Sequence, residues 1–250
     1  MNDEALINIS LGIISGIITT VLLNVGKYAI SRYNYYQKHS FLYESFKNYQ
    51  VIQIIMPSIY IDSFGFDSRK AHMSHNSPPN VLFMPFNESS AIYELVVTIN
   101  RIFTKKDVRL ITPAQYNDLH PAISIGGPSV NSFAERSLAK QFPQFNINYP
   151  EATAAKIKGL TFTTEQDSLT GIVTKDYGFL FSIVGKSKVP CFIACGILAF
   201  GTQVAVKKLI QIRSKSEMGK SLTTKQTSII CVEAEIEEFA GKIGNSITVF

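Results

Sequence analysis

Residues Ala122–Asn131 have the sequence AISIGGPSVN, which joins a short apolar run to a glycine turn. Four apolar or small residues bounded by a turn signal predict a buried strand over Ala122–Ile125. The two glycines allow the chain to turn tightly, and Asn131 is a typical N-cap residue for the next helix. We therefore predict a strand, a turn and a helix over Ser132–Phe142, which is the repeating unit of an α/β fold.

Two more stretches of the chain repeat this order of strand, turn and helix. Short β-rich runs elsewhere predict an additional first strand, antiparallel hairpins and a last strand. Units of this kind, joined by right-handed crossovers, predict an α/β, Rossmann-like domain with a largely parallel central sheet and antiparallel hairpin additions. The repeated units are Val81–Pro85 with the helix Ala91–Phe103, and Phe192–Cys195 with the helix Gln203–Arg213; the other strands are Val51–Ile61, Val108–Thr112, Leu160–Thr164, Gly171–Lys175, Phe179–Gly185 and Ile229–Phe239.

The composition excludes several classes of protein. A hydrophobic fraction of 46% over 250 residues is too high for a disordered chain. Three cysteines without CxxC spacing exclude a disulfide-stapled scaffold and argue against a structural zinc site. The net charge of +5 is compatible with anionic partners but does not require them.

Residues Ala5–Val25 form a run of 21 residues without charge or proline. A helix of this length matches the hydrocarbon thickness of a bilayer, about 30 Å, so we predict a single N-terminal transmembrane helix. Basic residues follow the run and acids precede it, which predicts an inner-membrane protein with its N-terminus outside and its C-terminal domain cytoplasmic. The predicted parts are a transmembrane helix (1–26), a juxtamembrane stalk (27–50) and a cytoplasmic α/β ligand-binding domain (51–250).

Small and polar residues recur at every fourth position of the predicted span. Residues at this spacing share one helix face, and such faces are typical of contacts between helices in membranes. We therefore predict a homo-oligomer that contacts the lipid bilayer and associates through Asn8, Gly12, Gly16, Thr20 and Asn24.

The three turns that follow strands are the predicted ligand-binding site. In parallel sheets a ligand lies beyond the carboxyl ends of the strands, where glycines admit it and helix N-termini favour anions. The chain lacks GxGxxG and GxxxxGK[ST], which argues against an ordinary dinucleotide or P-loop site. A nucleotide-like small molecule is the predicted ligand, and its predicted contacts are Asn87, Glu88, Ser89, Gly126, Gly127, Ser129, Asn131, Gly196, Gly201 and Thr202.

Glu88 is the candidate catalytic residue if the protein is an enzyme. A carboxylate in the first strand-turn-helix unit can contact a ribose hydroxyl or act as a nucleophile or base. Its alternative role is to complement the dipole of the helix that it begins. Glu135 is interpreted as a solvated helix residue, and Asp176 as part of a turn before a strand.

Neither a metal site nor a reactive thiol is predicted. His72 and His75 lie in a polar loop with few acidic neighbours, so a loop is favoured over a metal site. Cys191 and Cys195 flank a buried strand and are interpreted as core residues. We expect no resident cofactor other than the nucleotide-like ligand.

The segments IGGPSVN and CGILAFGT, together with the N-terminal apolar run, give the chain a resemblance to a known family. Over residues 81–213 its layout resembles bacterial anti-phage membrane effectors, in which a Rossmann-like sensor of the SLOG or CARF kind is joined to a transmembrane segment. The resemblance implies that the domain detects a nucleotide second messenger and that the effector then disturbs the inner membrane. It implies no catalytic residues.

These observations predict a membrane-anchored effector that binds a nucleotide-derived signal, oligomerises and perturbs the inner membrane, in anti-phage defence. Two alternatives stay open. One is a membrane-tethered nucleoside or dinucleotide glycosidase with Glu88 as its nucleophile, and the other is a non-catalytic scaffold that binds a protein. Nucleic acid is not an expected partner, because the basic and aromatic residues after the span suit a lipid interface better.

Overall fold

The computed structural model describes residues 3–57, 86–148, 152–184, 187–223, 228–237 and 240–249, and it describes the side chains of the first helix from Ser15 onward. The helices are α1 (Asp3–Lys38), α2 (Ser40–Phe46), α3 (Phe86–Ile102), α4 (Ser132–Gln141), α5 (Ala199–Gln211) and α6 (Glu217–Thr223). The strands are β1 (Val51–Ile55), β2 (Asp107–Ile111), β3 (Ala122–Ile125), β4 (Asn146–Ile147), β5 (Ala154–Ile157), β6 (Leu160–Thr163), β7 (Glu165–Gln166), β8 (Val173–Val184), β9 (Pro190–Gly196), β10 (Ile229–Glu237) and β11 (Ala240–Val249).

The central sheet is mixed, with the order β11-β10-β8-β9-β3-β1-β2 and β7 paired to β8. Strands β2, β1, β3 and β9 are parallel, whereas β8, β10 and β11 add to them in antiparallel fashion. A second, three-stranded sheet is formed by β4, β5 and β6. The predicted α/β domain with a parallel central sheet and antiparallel additions is confirmed to this extent.

Two hydrophobic clusters cover the two faces of the central sheet. One contains side chains from α2, α3, α5 and α6, and the other contains side chains from α4 and from the small sheet. Strands β1, β3 and β9 have almost continuous burial, as expected for parallel strands covered on both faces. Because the three strands are parallel, the turns that follow them lie at one edge, which we call the carboxyl edge.

Helix α2 belongs to the domain core although it lies within the predicted stalk. Phe41, Leu42 and Phe46 are fully buried, and the rings of Phe41 and Phe192 lie 5.2 Å apart. His39 Nδ1 is 2.7 Å from the carbonyl oxygen of Ile210, at the end of α5. Burying each of these large side chains stabilises the fold by about 2 kcal/mol, so α2 fastens α1 to the domain.

The prediction of an inner-membrane, single-pass protein is corrected by the structure. Among the residues described, no helix is long and apolar enough to cross a membrane.

Two details of the antiparallel half differ from the sequence prediction. Asp176 does not lie in a turn, because β8 is one continuous strand from Val173 to Val184 and includes it. The chain also does not end with the strand predicted at Ile229–Phe239, since β11 follows β10 and pairs with it. The strand predicted at Val81–Pro85 and the loop between β1 and α3 lie outside the described residues.

Candidate functional site

The carboxyl edge brings Glu88 of α3 next to Thr202 of α5. Glu88 is 4% exposed, and the Thr202 hydroxyl hydrogen-bonds to its carboxyl group. Burial raises the pKa of Glu88 to about 7, because removal from water disfavours the charged form more than the Thr202 hydrogen bond favours it. At neutral pH this carboxyl group therefore exists in both protonation states.

Two oxygens at the start of α3 have no hydrogen-bond partner among the residues that the structure describes. They are Oε2 of Glu88 and the side-chain oxygen of Asn87, and both are buried. A buried acceptor without a donor costs about 1–3 kcal/mol, so such groups call for an explanation in a native structure. A bound molecule that supplies donors would satisfy both of them.

Asp176 lies at the same edge and holds the start of α5. It is fully buried and accepts hydrogen bonds from the backbone amides of Leu198 (3.2 Å), Gly201 and Tyr177. Burial raises the pKa of Asp176 to about 6, and the three amides oppose that rise. The sequence predicts that an external anion binds this helix start. In the structure, the carboxylate of Asp176 accepts hydrogen bonds from its backbone amides instead.

The glycines predicted to admit a ligand at α5 are in close contact with the chain itself. A Cβ on Gly201 would lie 2.1 Å from the carbonyl oxygen of Tyr177, and a Cβ on Gly196 would lie 2.3 Å from the amide nitrogen of Thr202. Real Cβ atoms do not approach other atoms this closely, so both positions require glycine for packing between β8, β9 and α5.

The predicted turn before α4 is a cap on the other side of the sheet. Asn131 is buried and its side-chain oxygen accepts from the amides of Phe133 and Ala134, at 3.1 and 3.2 Å. Its Nδ2 donates to Ser124 Oγ and to the Ile125 carbonyl. All the polar atoms of this amide are therefore engaged within the chain.

The rest of that turn is partly open to solvent. Gly126 has a φ of +93°, which favours glycine, and a Cβ there would lie 3.0 Å from Pro57. Gly127 is buried, and its carbonyl oxygen accepts from the amide of Asn131. Ser129 is exposed at the tip of the turn, and Ser89 is exposed on α3.

The predicted contacts therefore separate into two groups. Glu88 of α3 and Thr202 of α5 are in contact, Gly196 and Gly201 pack beside Thr202, and Asn87 precedes Glu88 on α3. The turn before α4, with Gly126, Gly127, Ser129 and Asn131, belongs to the opposite face. Asp176 was interpreted from the sequence as part of a turn, so its hydrogen bonds to the start of α5 were not predicted.

The thiols near this site are core groups. Cys191, Cys195 and Cys231 are all buried and free. Burial raises the pKa of Cys195, and the nearby carboxyl groups of Glu88 and Asp176 raise it further. A thiol held in its protonated form is a weak nucleophile, so we do not expect these cysteines to react as nucleophiles.

Metal ligands do not cluster in the part of the chain that the structure describes. No group of three or more His, Cys, Asp or Glu side chains there has a geometry that suits a metal ion. His72 and His75 lie outside the described residues. Glu135 is exposed on α4, in agreement with its interpretation as a solvated residue.

The predicted association face lies on a free part of α1. Gly16, Thr20 and Asn24 are exposed, and the Thr20 hydroxyl donates to the carbonyl oxygen of Gly16 at 2.8 Å. For the other two predicted positions, Asn8 and Gly12, the structure describes the helical backbone but not the burial or contacts.

No protein-family model matches the chain, and neither a curated protein nor a solved structure matches it.

Proposed function

We propose that this protein binds a nucleoside or nucleotide at the carboxyl edge of its sheet, with the sugar hydroxyls against Glu88 and Asn87. The observation that carries the proposal is the pair of buried acceptor oxygens at the start of α3 that have no described partner. The amide oxygen of Asn87 accepts hydrogen bonds, and so does the ionised carboxyl group of Glu88, so their complement is a ligand that supplies a donor to each. The vicinal hydroxyls of ribose have this chemistry.

The position of the pair in the fold also supports a nucleoside. The parallel strands have the order β2-β1-β3-β9, so successive strands are added first on one side of β1 and then on the other, and the strand order reverses between β1 and β3. Ligands of doubly wound sheets lie beyond the carboxyl ends of the strands near such a reversal, where an acidic side chain commonly binds ribose. Glu88 lies in the first turn of α3, the helix that follows β1 in the described chain.

The helix starts favour the sugar over the phosphate as the main point of recognition. Amides at the start of α5 are bound by Asp176, and amides at the start of α4 are bound by Asn131. At two of the three predicted anion sites, backbone amides therefore already donate hydrogen bonds to side chains of the chain itself. We propose that ligand specificity comes from hydrogen bonds to hydroxyls.

Binding is proposed to act on the association of chains through α1. Ile17, Ile18 and Val21 are more than half exposed on this helix, and a Cβ added to Gly16 would meet no atom within 4 Å. An exposed apolar stretch of this kind is typical of a contact surface, and a second copy of the chain offers the same small residues. Sedimentation of the full chain with Gly16→Leu, against Gly26→Leu as the matched control, tests this part.

Calorimetric titration of the full chain tests the binding proposal. The probes are the four ribonucleoside monophosphates and their 2′-deoxy counterparts. Loss of one donor to a buried carboxyl group costs about 1–3 kcal/mol, so we expect at least one ribonucleotide to bind about 5- to 150-fold more tightly than its deoxy form. Glu88→Gln should remove that preference, whereas Glu94→Gln, on the same helix, should retain it. Equal affinity for both sugar types in the wild-type chain would contradict the proposal.

A glycosidase is the second candidate, and the raised pKa of Glu88 favours it. A carboxyl group with a pKa of about 7 can donate or accept a proton at neutral pH, as acid–base catalysis requires. Chromatographic detection of free base released from the same ribonucleotides separates the two functions. Base release that is lost in Glu88→Gln, with binding retained, would assign the enzyme; binding without release would assign the sensor.

A further inference from the structure

A cavity lies at the edge of the sheet opposite Glu88. It has a volume of about 540 Å³, within the range of pockets that hold drug-sized molecules. Strand β9 begins at this cavity with Pro190 and ends at Gly196 beside the first site. Seven strand residues span about 20 Å, so the two sites cannot share one small ligand.

The walls of the cavity are apolar and partly aromatic. Ile183, Val189, Phe192 and Leu222 line it from β8, the β8–β9 turn, β9 and α6. Phe192 is held in place by the ring of Phe41 at 5.2 Å. A flat apolar ligand would gain about 25 cal/mol for each Å² of apolar surface that it buries there.

Ser45 supplies an unused polar group to the same cavity. It is 9% exposed, and its hydroxyl has no hydrogen-bond partner among the described residues. A ligand atom that accepts or donates a hydrogen bond would satisfy this hydroxyl.

The charges around the cavity favour an anionic ligand. Glu44 lines the cavity, but its carboxylate is paired with Lys47 at 2.6 Å. Lys188 also lines it, is exposed, and forms no ion pair with any described residue. The three side chains together leave one positive charge, carried by Lys188 on the β8–β9 turn.

We propose that this cavity binds a small aromatic carboxylate or sulfonate. The aromatic body lies among Ile183, Val189, Phe192 and Leu222, and the acid group lies near Lys188. A polar atom of the ligand hydrogen-bonds to the Ser45 hydroxyl. The site is independent of the proposed nucleoside site, and it is formed in part by α2, the helix that fastens α1 to the domain.

The test uses the full chain and two fluorescent probes of the same shape. 8-Anilinonaphthalene-1-sulfonate carries the acid group, and N-phenyl-1-naphthylamine is its uncharged counterpart. Lys188→Glu should weaken binding of the sulfonate roughly tenfold through charge repulsion and leave the uncharged probe within about twofold. The matched control is Lys158→Glu, which changes another exposed turn lysine with a positive φ and should leave both affinities unchanged.

A second pair of variants tests the cavity itself. Asn48 lines the cavity from an exposed position, so Asn48→Trp should fill the entrance and abolish saturable binding of both probes. Gln50→Trp, also exposed but outside the cavity, is the control and should bind both probes as the wild type does. Circular dichroism establishes that each variant is folded.

Two results would overturn the proposal. Saturable binding that survives Asn48→Trp would place the probes elsewhere, for example on the apolar residues of α1. An equal effect of Lys188→Glu on the charged and uncharged probes, or no effect on either, would remove the role of the acid group.

Discussion

Ionisation of Glu88 should make the stability of this protein depend on pH. The ordinary pKa of the side chain is 4.5, and burial raises it to about 7 in the folded chain. The folded state therefore holds a proton that the unfolded state releases. Its stabilising effect is fully present below pH 4.5, is lost as the pH rises to 7, and does not change further above that.

The magnitude follows from the distance between the two pKa values. Their difference, about 2.5 pH units at about 1.4 kcal/mol per unit, corresponds to about 3 kcal/mol of unfolding free energy. Glu88→Gln keeps the shape of the side chain and removes the titration. The variant should therefore gain about 2.5 kcal/mol relative to the wild type between pH 5 and pH 8, on top of any constant difference.

Urea unfolding at pH 5 and pH 8 measures this change. Tyrosine fluorescence and circular dichroism can follow it, since the chain has 11 Tyr and no Trp. The pKa of Asp176 is also raised, so its stabilising effect is likewise lost as the pH rises. Both the wild type and Glu88→Gln contain Asp176, so its effect cancels when their free energies of unfolding are subtracted. A difference between variant and wild type that stays within about 1 kcal/mol across the two pH values would refute the burial of an ionisable Glu88.

Three further predictions follow from the packing at the carboxyl edge. Gly201→Ala should lower the free energy of unfolding by about 3 kcal/mol, measured by urea unfolding, because the added Cβ would collide with a carbonyl oxygen of β8. Alanine favours helices more than glycine does, so Gly16→Ala in α1, where a Cβ meets no atom, is the control and should be neutral or stabilising. Asn131→Ala should also lower the free energy of unfolding by about 3 kcal/mol, because it removes the N-cap of α4 and leaves buried polar groups of β3 without a partner. The control is Ser132→Ala at an exposed position, which should change the free energy of unfolding by less than about 0.5 kcal/mol. The three cysteine thiols should not react with a thiol reagent at pH 8 until the protein unfolds, because burial raises their pKa.

Local patterns in the sequence were enough to predict the parallel half of the sheet. The strands at Ala122–Ile125 and Phe192–Cys195 and the helices after them lie where the apolar runs and turn residues indicate. The N-cap role of Asn131 was visible for the same reason, since a cap acts on amides two and three residues away. These features depend on contacts within one element or between neighbours in the chain.

Other features depend on residues that are far apart in the sequence. Asp176 was interpreted as part of a turn because it stands just before an apolar strand. Its burial is tolerated because it accepts hydrogen bonds from three amides of β8 and of the start of α5. Helix α2 was assigned to a stalk because it follows an apolar run, whereas its aromatic residues complete the core against β9. Neither outcome can be obtained from periodicity.

Glu88 best illustrates the division between sequence and tertiary structure. Its place in the first turn of a helix was predictable, and from that place alone a solvated residue near the helix dipole was as reasonable as a binding group. The packing of α3 against α5 rules out a solvated Glu88, because it removes the carboxyl group from water and leaves one of its oxygens without a described partner. The sequence by itself determines which helix or strand a residue belongs to, because backbone hydrogen bonds and side-chain periodicity are local. Tertiary structure decides how far the residue is removed from water, because its burial depends on which distant elements pack over it.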